Sequence, residues 1–248
     1  MAGQNVLPYD VGALRKRVSE DHVELFLGFT PWPQDASGWN RSIKEKLASP
    51  PGKSVRRTVW DSPDTPSARV LIDIIECSSA MSAIDALLEE LAANQLARLS
   101  EGPPHLGIAC FMHPEGAPPA VFFARGNLCI RVISFARSSV DVIPWAERLN
   151  ERLSEEPRVE GNRIILESDR KSAGVGEEVA VFYTLPWALG DEGFLKFLVS
   201  GGTLVAREGR RLFLKASKRG EVQVRAYALE PKREPYGGVL NLTIEDHR

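Results

Sequence analysis

Sulfur, histidine and net charge are all scarce in this chain, and each scarcity closes off a class of function. The 248 residues include three cysteines, Cys77, Cys110 and Cys129. An odd number without framework spacing argues against a disulfide scaffold. All three fall in apolar stretches expected to be strands, where a free cysteine acts as a small hydrophobe. The four histidines are scattered, which leaves no pair placed for acid–base work. His105, Cys110 and His113 come closest to a ligand set, but a zinc site needs further ligands and none is near in sequence. No metal and no cofactor are expected.

The formal net charge is −2. Residues 1–157 carry a net −4 and residues 158–248 a net +2, so neither half has the basic face or stripe of a nucleic-acid binder. No apolar run is long enough to span a bilayer, so no membrane insertion is expected. The opening MAGQNVLPYDVG lacks both the charged and the apolar region of a secretory signal, so none is expected in the chain as given. The phosphate-binding, dinucleotide, zinc-protease and nucleophile-elbow motifs are all missing. Ser78 and Ser79 stand where a strand meets a helix but lack the glycines of a strained elbow, and a helix cap accounts for them.

What is present is a strong architectural signal. In the stretch 120–135, AVFFARGNLCIRVISF, Gly126-Asn127 sits between two apolar runs and predicts a tight hairpin. That turn pairs Arg125 with Leu128, Phe123 with Ile130 and Val121 with Val132. Phe122, Ala124, Cys129, Arg131 and Ile133 take the other face. Both faces are largely apolar, so both should be covered.

Around the hairpin, 69–77 reads as a strand, 79–99 as a long helix, 106–112 as a strand and 141–153 as a helix capped by Asp141. The block 68–153 thus has the order β-α-β-β-β-α, an α+β layer with a largely antiparallel sheet. Upstream, Asp10 caps a short helix, 22–30 alternates as a strand, 39–47 reads as a short amphipathic helix and 54–60 as a strand. Each long helix has one apolar stripe and covers one sheet face. If both lie on the same face, residues 1–50 with Phe26, Phe29, Trp32 and Trp39 must supply a lid for the other, and they belong to the first domain.

The only convincing boundary is 157–161. The chain is expected to form an α+β domain at 1–157 and an all-β domain at 158–248, where seven short strands separated by glycine turns match the count of a β-sandwich. The segments SAGVGEEVAVFY, SGGTLVAREG and RGEVQVRAYALEP resemble a bacterial immunoglobulin-like domain. In that family a G-E-x-V-x-V strand precedes a G-G hairpin and a late strand of alternating small and branched residues. The sequence lacks the Cys…Trp…Cys core of antibody domains, so it resembles the disulfide-free types. The resemblance implies a spacer or adhesion module on an envelope or secreted protein. Residues 1–157 resemble no family.

Two sets of side chains stand out. Asp73 is embedded in an apolar strand and needs a partner if buried; Arg131 on the hairpin is the candidate, as a structural ion pair. Trp32, Trp39 and Trp60 lie in or beside Pro- and Gly-rich connections, where they serve either as anchors for a partner or as plugs for the end of the sheet. These features fit a non-catalytic binding or interaction protein with a protein or polymeric ligand, placed by the resemblance in a bacterial cell envelope. A hydrolase with a dispersed site and an accessory sandwich, or a structural assembly protein, are the alternatives.

Overall fold

Gly126 takes a positive φ of 52°, and the hairpin closes in the register its turn requires: Arg125 with Leu128, Phe123 with Ile130, Val121 with Val132. A computed structural model describes residues 10–19, 22–30, 38–49, 51–93, 99–161, 163–231 and 233–246. In chain order the described residues form α1 (Val11–Lys16), β1 (His22–Leu27), β2 (Asn40–Leu47), β3 (Ser54–Asp61), β4 (Arg69–Glu76) and α2 (Ala80–Ala93). Then come β5 (Ser100–Glu101), β6 (Ala109–Met112), β7 (Ala120–Arg125), β8 (Leu128–Ser134) and α3 (Ile143–Ser154). The remainder is strand: β9 (Ile165–Ser168), β10 (Ser172–Gly174), β11 (Glu178–Thr184), β12 (Phe194–Ser200), β13 (Thr203–Glu208), β14 (Arg211–Lys215), β15 (Gly220–Leu229) and β16 (Tyr236–Glu245). The protein is sheet-rich, with few helices and three sheets. No helix among the described residues is long and apolar enough to cross a membrane.

The chain divides into two compact units, residues 1–18 with 31–155 and residues 19–30 with 156–248. The first holds an antiparallel sheet in the order β2-β3-β4-β8-β7-β6-β5. One face carries Ile75, Cys129, Phe122, Ala124 and Phe111 and packs against Ile84, Leu87 and Leu91 of α2, with Leu14 of α1 at the margin. Asp10 caps α1 by accepting the Ala13 amide hydrogen at 3.0 Å, and Ser79 Oγ accepts the Ser82 amide hydrogen at 3.1 Å at the start of α2. The opposite face, with Ile72, Ile130, Val132 and Phe123, is also buried. There Trp60 pairs with Val70 and meets Trp145 of α3 at 6.1 Å between ring centroids.

The two long helices therefore cover opposite faces, and the need for a lid over one face does not arise. The stretch 39–47, expected to be helical, is strand β2. Ile43 and Leu47 are spaced for a helix face, but the free edge of β3 offers a ladder from Asn40–Asp61 to Leu47–Val55, and tertiary pairing overrides weak propensity.

The second unit consists of a five-stranded sheet, β1-β12-β15-β16-β10, and a four-stranded sheet, β13-β14-β11-β9. Residues from both sheets, among them Val181, Leu212, Phe197 and Val224, share one apolar core, the arrangement of a β-sandwich. Gly238 lies so close to the Ile164 carbonyl that a Cβ there would overlap it, which explains a glycine in the middle of a strand pairing.

The expected extent of the first domain, 1–157, needs correction. β1 pairs antiparallel with β12, from His22 with Ser200 to Leu27 with Leu195, and Leu25 and Leu27 enter the sandwich core. Alternation in 22–27 identified a strand correctly. It carried no information about which sheet the strand would join.

Candidate functional site

Asp73 is fully buried, and a buried carboxylate survives only with charged hydrogen-bond partners. Two guanidinium groups supply them. Arg131 Nε donates to Asp73 Oδ2 at 2.6 Å, and Arg57 donates from Nε and Nη2 to Oδ1 and Oδ2 at 2.8 and 2.9 Å. Arg131 Nη1 also donates to Glu90 Oε2 of α2 at 2.6 Å. The hydrogen bond to Asp73 is the leading cause that raises Arg57 above the usual arginine range. Arg57 and Arg131 thus hold the buried carboxylate from two neighbouring strands. Arg57 escaped the sequence reading, although its place in 54–60, beside the strand of Asp73, was the signal that could have found it.

The tryptophans divide. Trp32 lies outside the described residues. Trp60 is 1% exposed, so it is core and not a surface anchor. Trp39 is half-buried and packs edge-on to Trp145 at 5.1 Å. The Arg148 guanidinium lies 5.2 Å from the Trp145 ring and that of Arg41 5.9 Å from Trp60. The cluster packs on the α3 side of the sheet.

All three cysteines are free and buried. Burial pushes the Cys77 thiol up to about 11 and Cys110 up to about 12, and raises Cys129 well above its ordinary value. None is set up as a thiolate nucleophile. His105 faces Glu147, Nε2 to Oε1 3.3 Å, and among the described residues no group of three or more His, Cys, Asp and Glu is placed to hold a metal.

A concave feature among the described residues of the first unit is an open groove of about 720 Å³ between the β6–β7 loop and the start of α3. Its walls are mostly apolar, with Met112, Pro118, Val121, Val142 and Ile143 among them. The loop HPEGAPP builds one wall. It is shaped by a turn in which the Ala117 amide donates to the Pro114 carbonyl at 3.2 Å, with Gly116 at φ 86°. His113 Nδ1 donates to the Pro118 carbonyl at 2.8 Å. The ring packs 5.6 Å from Phe122.

Ser139, Asp141 and Glu115 complete the polar lining. Asp141 Oδ1 accepts the amide hydrogen of Ile143, the first residue of α3, at 3.0 Å; the N-cap is Val142, not the expected Asp141, and it makes no side-chain cap bond. A Ser–His–Asp relay would need the Nδ1 proton on the carboxylate; here it is on a backbone carbonyl and the carboxylate serves the helix. The arrangement can bind, with fixed apolar walls and a few oriented polar groups. Pro114 and the Pro118-Pro119 pair flank Gly116 between two buried strands, and were the hint in the sequence of a rigid wall.

No protein-family model matches the chain, and no curated protein matches its sequence.

Proposed function

We propose that this protein is a non-catalytic binding and interaction protein, in which an α+β module presents a ligand groove and an immunoglobulin-like module carries it. The groove between the β6–β7 loop and α3 is the observation that carries the binding reading. Its volume of about 720 Å³ falls in the range of small-ligand sites, and its apolar lining with few polar groups is the composition of such sites.

Strand order supports the second half of the reading. Taking the strands from β9 onward as A to G, with β10 as an added segment, the four-stranded sheet runs A-B-E-D and the other contains C-F-G, as in an immunoglobulin-type sandwich. β10 pairs parallel with the last strand, and β1 is an addition beside C. The sequence resemblance brings with it a place among envelope or secreted proteins, where such domains serve as spacers and adhesion modules. Fold alone does not assign function, so the test falls on the groove. A chemically diverse fragment set should be screened against the isotope-labelled full chain by amide chemical shifts. Hits should converge on Met112, Val121, Val142 and Ile143. Hits that scatter over the surface, or a screen without hits, defeat the reading.

A further inference from the structure

We propose that the groove takes an apolar organic cation, a ligand with an aromatic or branched body and one protonated amine. The inference deepens the binding reading above and rests on it. Its basis is the charge of the lining. Glu115 and Asp141 both line the groove, and none of its lining residues is Lys or Arg. The remaining oriented polar group is His113, whose Nδ1 hydrogen is spent on the Pro118 carbonyl. Both carboxylates are hydrogen-bond acceptors. A site whose two carboxylates accept, set among Val121, Val142, Ile143 and Pro118, matches a ligand that donates from a cationic head and buries an apolar body. An anionic ligand meets two like charges and no lysine or arginine among the described lining residues.

A hydrogen bond at the start of α3 fixes one of the two charges. Asp141 Oδ1 is held by the Ile143 amide, so this carboxylate is pinned beside the apolar wall formed by Val142 and Ile143. Glu115 sits on the loop across the groove. The two carboxylates thus come from separate walls of the groove.

The experiment compares three probes of nearly equal shape against the full chain: phenethylamine, 2-phenylethanol and phenylacetate. Amide shifts of Val121, Val142 and Ile143 give the affinities. Phenethylamine should bind about tenfold more tightly than the alcohol, the joint effect of two partly exposed carboxylates worth up to about fivefold each. Phenylacetate should bind weakest. The double variant Glu115→Gln, Asp141→Asn should lose the preference for the amine. Asn retains a side-chain oxygen for the Ile143 amide, so that hydrogen bond is kept and the variant tests charge, not folding.

A blocked Phe–Lys dipeptide amide serves as a further arm. Binding tighter than phenethylamine assigns the cation to a peptide chain, and weaker binding assigns it to a free amine. Equal affinities for amine, alcohol and acid, a preference that persists in the double variant, or no shifts with any probe would each overturn the proposal. Equal affinities would leave the binding reading standing, whereas a fragment screen without hits removes both.

Discussion

Leu25→Ala should weaken the sandwich and not the first unit, although Leu25 lies far from the sandwich in sequence. Leu25 is 2% exposed and Leu27 8% exposed, and both sit in the core shared by the two sheets of the second unit. On the other side of β1, Glu24 Oε1 lies 3.5 Å from Nζ of the buried Lys196. Burying two leucines is worth roughly 3–6 kcal/mol, a large part of the 5–15 kcal/mol typical of a whole domain. A single buried Leu→Ala change costs about 2–5 kcal/mol. Hydrogen exchange read by mass spectrometry localises the effect. Amides of β12 and β15 that exchange by opening of the sandwich should speed up roughly thirtyfold to several-thousandfold. Those of β4 and β8 should keep their protection. His22→Ala, at an exposed position of the same strand, should change little. Wild-type exchange in β12 and β15, or a loss confined to β4 and β8, would refute the assignment of β1. The same reasoning bears on a cut at 157–161: the released C-terminal fragment lacks β1, leaves the β12 edge bare, and should unfold at lower urea than the sandwich in the intact chain.

Replacing Asp73 by Asn leaves two guanidinium groups facing a neutral amide, and should cost about 3–5 kcal/mol, read as a lower urea midpoint in the first unit. Arg131→Met combined with Asp73→Asn should cost much less than the two changes added together, because the second removes what the first leaves unpaired. Alkaline stability follows from the thiols. Their folded values, about 11 for Cys77 and about 12 for Cys110, lie above the ordinary 9.0. The unfolded chain therefore releases protons first, and stability falls from pH 9 toward 11–12 by on the order of 3 kcal/mol for each thiol. Cys110→Ala should flatten that slope in urea midpoints measured against pH, and an unchanged slope would count against burial as the cause. Gly107→Ala should destabilise the first unit by several kcal/mol, since φ there is 68° and the new Cβ would overlap the Ala124 carbonyl, whose oxygen accepts the Ile108 amide hydrogen at 2.7 Å.

Local signals carried the hairpin and most sandwich strands. Gly126-Asn127 fixed a turn, and the period-two runs around Val181 and Val224 fixed which side chains point inward. The same signals were silent about partners. β1 was legible as a strand, but its ladder lies with β12 at the far end of the sequence. β10 is three residues of Ser, Ala and Gly, too short and too small to show a period. The groove was illegible for a related reason, being assembled from the loop after β6, the first residues of β7 and the turn into α3. Asp73 was the exception, because a carboxylate among branched apolar residues announces a cost that something must offset.

That cost also explains how a strand as polar as β2 holds its place at the sheet edge. Glu45 pairs with Arg57 across β2 and β3, Arg57 with Asp73 across β3 and β4, and Asp73 with Arg131 across β4 and β8. The four side chains share one face and alternate in sign, and Glu45 contributes to raising Arg57. A slip of one residue anywhere in this ladder sends a charge to the opposite face, where Ile72 and Val132 are buried. It also strands the buried Asp73. Hydrophobic burial alone constrains β2 weakly, since most of its residues are exposed, so register there is set by charge instead. The bulge between Arg41 and Ile43, with Lys44 and Lys46 beyond it, then bends and charges the outer edge against pairing with another chain.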